Sequence, residues 1–136
     1  MQDQELISFA QLLVQTQGYS CHEGNVANAV LKEMQRLNFS EAYIDDCGNV
    51  VGIIHGAKPG KLLLMDGHID TVDAEAADWT FPPFGGVIND GKLYGRGSVD
   101  MKGSLAAMVH AAASLDRESM VGSVAVSGTV LEEHFE

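Results

Sequence analysis

Basic residues are the scarcest resource of this chain: 8 Lys and Arg stand against 19 Asp and Glu, a formal charge of −11. Such a balance attracts neither a nucleic-acid backbone nor an anionic lipid surface, so neither is an expected partner. Cysteine is nearly as rare, with 2 in 136 residues. Cys21 and Cys47 form no CxxC pair and read as reduced thiols rather than as a disulfide or thiolate–metal framework. No apolar run approaches the ~18 residues that span a bilayer. The opening MQDQELISFAQLLVQ is acidic and amphipathic and lacks the basic region and small-residue cleavage site of a secretory signal, so a cytoplasmic location is expected. Neither a P-loop lysine motif nor a full dinucleotide fingerprint occurs, which sets nucleotide binding aside.

What is present is an ordinary globular composition, 46% hydrophobic and 20% charged, in a length suited to one domain. Helical spacing of Leu6, Phe9, Ala10, Leu13 and Val14 predicts a helix over 3–16, and Val26, Val30, Met34 and Leu37 predict a second over 22–37. Segments 41–46 and 49–56 read as strands joined tightly at Cys47-Gly48. The continuous run Leu62 to Met65 predicts a central strand covered on both faces. Between Thr71 and Val99 little regular structure is expected beyond short strands near Val87 and Leu93, and so long a connection tends to be functional. KGSLAAMVHAAASL reads as a small-residue helix and GSVAVSGTVLEE as another strand. Strand, crossover helix and strand make a βαβ unit with two parallel strands, hence an α/β class. The abrupt end at LEEHFE suggests a piece of a longer protein.

Three places carry chemistry, each at the end of a predicted central element, where ligands gather in open α/β sheets. In Gly67-His68-Ile69-Asp70, residues i and i+2 of an extended backbone share a face, so His68 can bind a metal while Asp70 orients its ring. A plain structural His–Asp pair fits the triplet equally well. Asp100 sits in a glycine-rich run directly before a helix, as either an N-cap or a carboxylate bridging two cations. Glu132 and Glu133 end an apolar strand, where adjacent carboxylates are costly unless a cation holds them or solvent reaches them. One can bind metal while the other takes a proton from water, provided the backbone turns to bring both to one side. Spacing does not say which does which. Histidine and carboxylates without thiolates suit a catalytic zinc site, and a shared aspartate suits two metals ~3.5–4 Å apart. His22, His55, His110 and His134 are left as surface, turn or packing residues, Trp79, Phe81 and Phe84 as loop packing, and Arg96 and Lys102 as turned outward or paired with acids.

LLLMDGHIDTVDA, the Trp79 to PPFGG stretch, DGKLYGRGSVDMKGSLAAM and TVLEEHFE, in that order over roughly the last 80 residues, resemble a family of di-zinc hydrolases. It comprises zinc aminoacylases, acetylornithine and succinyl-diaminopimelate deacylases and glutamate-type carboxypeptidases, with most similarity to a bacterial branch linked to selenium metabolism. The resemblance implies an α/β fold, a three-layer αβα catalytic domain with a mixed sheet, of which residues 1–136 form the N-terminal part without the lid and dimerisation domain. It implies that His68 binds one zinc, Asp100 bridges both and Glu133 binds the second, with Glu132 as general base and Asp70 orienting His68. It also implies a cis peptide after Asp100, two zinc ions (cobalt or manganese as substitutes) and an N-acyl amino acid or short peptide as substrate. The parent protein would be a homodimer through the missing domain. With three of five protein ligands present, the segment alone is expected to be inactive. Two other classes remain: a di-metal phosphoesterase using Mg²⁺ or Mn²⁺, and a metal-free scaffold in which Asp100 only caps a helix.

Overall fold

A computed structural model describes residues 2–134. Helix α1 (Gln2–Gln15) and helix α2 (Gly24–Arg36) precede strands β1 (Glu41–Ile44), β2 (Val50–His55) and β3 (Lys58–His68). A hairpin of β4 (Val87–Asn89) and β5 (Lys92–Tyr94) follows, then helix α3 (Lys102–Ala113) and strand β6 (Val121–Thr129). The main sheet runs β1-β2-β6-β3; β6 is antiparallel to β2 and parallel to β3. The sheet is therefore mixed, and β3–α3–β6 is the expected parallel crossover. No described helix is long and apolar enough to cross a membrane.

One face of this sheet is built for close packing. Gly52 lacks a side chain where Met34 and Phe39 press down from α2 and the turn after it, since a Cβ there would lie 2.5 Å from the Met34 sulfur. Gly128 makes the same room for Ile69, Val50 and Leu105. The small residues of α3 let Leu105, Ala106, Val109 and Ala112 bury against Val124 and Val126, while Phe9 and Leu13 of α1 close the same cluster. On the opposite face, among the described residues, Tyr43, Leu62 and Leu64 remain exposed.

One expectation for β3 changes. The apolar run Leu62–Leu64 lies at a sheet edge among the described residues, at 59%, 60% and 56% exposure, rather than in a covered centre. Continuous hydrophobicity signals that a strand is to be covered, but not which segment covers it. Its carboxyl end behaves differently. Gly67, His68, Ile69, Asp70 and Thr71 are all buried, because Thr71 forms a bridge to Tyr19 and its N–H donates to the Gly18 carbonyl at 2.9 Å. That bridge closes the loop after α1 over the end of β3.

Candidate metal centre

Parallel pairing brings His68 opposite Thr129, so whatever follows β6 emerges beside whatever follows β3. Past Thr129 the chain bends, and Leu131 takes φ +63°. The bend solves the problem that adjacent side chains of a strand face opposite ways. Single ligand atoms of His68, Glu132 and Glu133 then lie within 4.8 Å of one another. Asp100 arrives from the segment before α3, its Oδ1 3.1 Å from His68 Nε2, while Glu132 Oε2 lies 3.7 Å from the same nitrogen. The imidazole, only 6% exposed, thus points one nitrogen at a group of carboxylates from two separate loops.

The other ring nitrogen fixes the tautomer. His68 Nδ1 lies 3.0 Å from the backbone oxygen of Asp70 and 3.4 Å from its Oδ1. The main-chain carbonyl is the nearer acceptor, so Asp70 orients the ring chiefly through its backbone. Its buried carboxylate accepts the Ser20 hydroxyl at 2.6 Å and the Glu132 and Glu133 amides at 3.2 and 3.0 Å. Burial would raise the Asp70 pKa, but the Ser20 hydroxyl and the two amides outweigh it and hold the carboxyl below its ordinary range. Burial likewise opposes a charged His68, yet the bond to Asp100, the Asp70 carbonyl and the charges of Asp70 and Glu132 together raise its pKa.

Asp100 is not a helix cap: Met101 occupies the N-cap of α3, and no side chain caps that end. The Asp100-Met101 peptide is cis, as the resemblance implied. The Asp100 side chain is 75% exposed and faces a cleft of about 730 Å³. Trp79, Tyr94, Arg96 and Glu133 also line this cleft. Among the described residues no Lys or Arg forms a salt bridge with Asp100, Glu132 or Glu133. An imidazole nitrogen amid carboxylates that, among the described residues, pair with no Lys or Arg is a donor set that fits a hard-to-borderline divalent metal ion.

Several side chains depart from the sequence reading. Lys102 points inward: it is fully buried, its Nζ donates to the Thr16 carbonyl at 2.7 Å, and burial pulls its pKa down to about 8 against the pull of Asp70. The long aliphatic stem of lysine makes such burial feasible, and nothing in the local sequence announces it. Arg96 stacks over Trp79 at 5.1 Å and donates to the Asp73 carbonyl, which ties the long loop to the glycine-rich turn. His55 and His110 do have acidic partners, Glu41 at 2.6 Å and Glu33 at 2.9 Å, both distant in sequence. Glu23 and Asn49, just before α2 and β2, accept backbone amides of the site, and Ser20, in the turn ahead of α2, donates to the Asp70 carboxylate; none carried a signal in the sequence.

Comparison with known proteins bears on this geometry. The sequence profile of Peptidase family M20/M25/M40 matches residues 64–135, which contain His68, Asp70, Asp100, Glu132 and Glu133. The chain belongs to this family. Among M20/M25/M40 relatives, the succinyl-diaminopimelate desuccinylase of Methylorubrum populi is 39% identical over 144 residues, covering 98% of this chain and 37% of the relative. The uncharacterized protein YgeY of Escherichia coli is 35% identical over 133 residues, covering 95% of this chain and 32% of that protein. The chain therefore spans about a third of the length of the curated relatives it matches. Human carnosine dipeptidase 1 superposes with a TM-score of 0.78 at 21% identity, over 97% of this chain and 32% of its own. The Bacillus subtilis YXEP protein, described as a dinuclear metal binding peptidase of the M20 family, superposes at 0.73 with 18% identity, over 96% and 35%. These likenesses fix the fold as a part of the M20 catalytic domain.

Proposed function

We propose that this chain supplies the N-terminal part of the catalytic domain of a metal-dependent amidohydrolase acting on an N-acyl amino acid or short peptide. The observation that carries the reading is that ligand atoms of His68, Glu132 and Glu133 lie within 4.8 Å of one another at the carboxyl ends of β3 and β6, with Asp100 3.1 Å from His68 Nε2. Desuccinylase and dipeptidase relatives support the amide-bond class. His68 and Glu133 are the proposed ligands of separate ions, and Asp100, which comes from the segment before α3, the proposed bridge. A bound zinc pair would polarise the scissile carbonyl and acidify the attacking water. Glu132, the more exposed glutamate, takes the proton from that water and delivers it to the leaving amine nitrogen. The Asp70 main-chain oxygen accepts the Nδ1–H of His68 and so fixes the tautomer that leaves Nε2 turned toward the carboxylates.

Three ligands leave two ions under-coordinated, so these residues alone bind metal weakly or not at all and turn over negligibly. Calorimetric Zn²⁺ titration, with hydrolysis of N-succinyl and N-acetyl amino acids, tests both points, and robust hydrolysis by the 136 residues would refute the proposed incompleteness. In a full-length context Glu132→Gln should lower kcat by about 10²-fold or more with zinc retained. Unchanged activity would remove Glu132 from the base role. Subunit pairing in a homodimer is proposed to use parts outside this segment, with sedimentation of the segment and the full-length form as its test.

A further inference from the structure

Beyond Thr129, strand β6 has no further ladder partner: its pairing with β2 ends at Gly128 and with β3 at Thr129. Four consecutive amides then follow, and side chains accept all four. Val130 N–H donates to Asn49 Oδ1 at 3.0 Å and Leu131 N–H to Glu23 Oε1 at 3.1 Å. The Glu132 and Glu133 amides go to the two oxygens of Asp70. The acceptors come from three distant places: the start of α2, the start of β2 and the end of β3.

Glu23 is the least expected of them. It stands at the N-cap of α2, yet its side chain makes no capping bond to that helix. Its carboxyl group, 5% exposed, instead accepts the Leu131 amide and, at 3.0 Å, the Cys21 amide. Both of those residues have positive φ, +63° at Leu131 and +71° at Cys21, a conformation that a residue with a side chain keeps only where its surroundings hold it. Asp70 fixes the two amides of the glutamate pair but not the torsion upstream of them. That torsion turns both carboxylates toward His68.

We infer that Glu23 is a positioning residue for the Glu132–Glu133 pair: by holding the Leu131 amide in its left-handed turn, it sets the direction of both carboxylates. The inference rests on the proposed function for what the pair does; Glu23 itself contacts the Leu131 and Cys21 amides rather than the proposed ligand atoms. Loss of Glu23 leaves the Leu131 amide without its side-chain acceptor and the turn without its anchor, so the two glutamates spread apart. If the side chain merely steadied the start of α2, its loss would loosen the molecule broadly and leave the turn no worse than the rest.

Amide hydrogen exchange by NMR in metal-free protein, and Zn²⁺ calorimetry with Co²⁺ absorption spectra, separate these outcomes in wild type, Glu23→Ala and Glu23→Gln. In the wild type the Leu131 amide should exchange slowly. In Glu23→Ala the Leu131, Glu132 and Glu133 amides should exchange about 10-fold faster or more, while the Val124 and Val126 amides keep their protection. Metal affinity should fall by about 10-fold or more, as is typical when a group supporting a ligand is removed, with an altered Co²⁺ spectrum. Glu23→Gln retains Oε1 as an acceptor and should stay within about 3-fold of wild type in both readouts. An unprotected Leu131 amide in the wild type, or uniform loss of protection in Glu23→Ala, would overturn the inference, as would wild-type exchange and affinity in that variant. Should Glu23→Ala not fold, wild-type Leu131 exchange and Glu23→Gln still decide it. If the 136-residue wild type binds no metal, the exchange data decide the role of Glu23, while absence of metal from the full-length protein overturns the functional reading separately.

Discussion

Replacing Asp70 by asparagine preserves shape and removes one acceptor. The wild-type carboxylate is fully buried and receives the Ser20 hydroxyl and the Glu133 amide on one oxygen and the Glu132 amide on the other. An asparagine must present its NH₂ to one side, where it meets a donor and leaves it unpaired. One lost bond costs about 1–3 kcal/mol, and exchanging a charged acceptor for a neutral one in the remaining bonds costs about 1 kcal/mol more. Together these give a loss of about 3 kcal/mol. With an unfolding entropy of ~2.1 cal/mol/K per residue, a chain of 136 residues should melt about 10 °C lower. The pH dependence adds a second check. Because the Asp70 carboxyl is held below its ordinary value of 3.8, its stabilisation is complete above that value and disappears as the pH falls through the lower folded one. Asparagine has no such dependence, so the gap between the two melting curves should be widest near neutral pH and narrow below pH 3.8. Calorimetric melts of both proteins from pH 7 to pH 2 measure it. A drop under about 2 °C, or a gap that stays constant into acid, would refute the reasoning.

Other perturbations test separate parts of the fold. Glu33, whose carboxylate meets Arg36 at 2.7 and 2.8 Å and His110 at 2.9 Å, has its pKa lowered chiefly by the bond to Arg36 and against burial. Glu33→Gln should cost about 1 kcal/mol at neutral pH in urea unfolding, a difference that disappears as the pH falls below 4.5 and through the folded value. Gly122→Ala should cost about 3 kcal/mol or more by the same measurement, because φ is +89° and the new Cβ would sit 2.1 Å from the Lys61 carbonyl oxygen. Gly24→Ala should instead stabilise by about 0.5–1 kcal/mol, since it lies in α2 with nothing within 4 Å of the new methyl.

The elements were largely readable from local pattern. The stripe of Val26, Val30 and Met34 gave α2, and the apolar runs on either side of α3 gave the parallel pair β3 and β6. Periodicity records which face a segment buries, so it reveals elements and the class of fold that accommodates them. It did not reveal that β3 lies at an edge among the described residues, because hydrophobicity does not name the neighbour. Asp70 illustrates the same limit within the site. The His-x-Asp spacing indicated an orienting role, while the division of labour between its carbonyl and its carboxylate depends on a turn 62 residues away.

The sequence by itself determined the residue types of the site and the ends of the elements that bear them, because metal ligands, glycine turns and strand ends each demand particular side chains at short range. Only the tertiary structure decided that Glu23, Asn49 and Asp70 share the task of holding residues 130–133, and that Lys102 turns inward to the Thr16 carbonyl. Those contacts join residues between 32 and 108 positions apart. No local pattern encodes them, since their partners become neighbours only once β6 has slotted between β2 and β3.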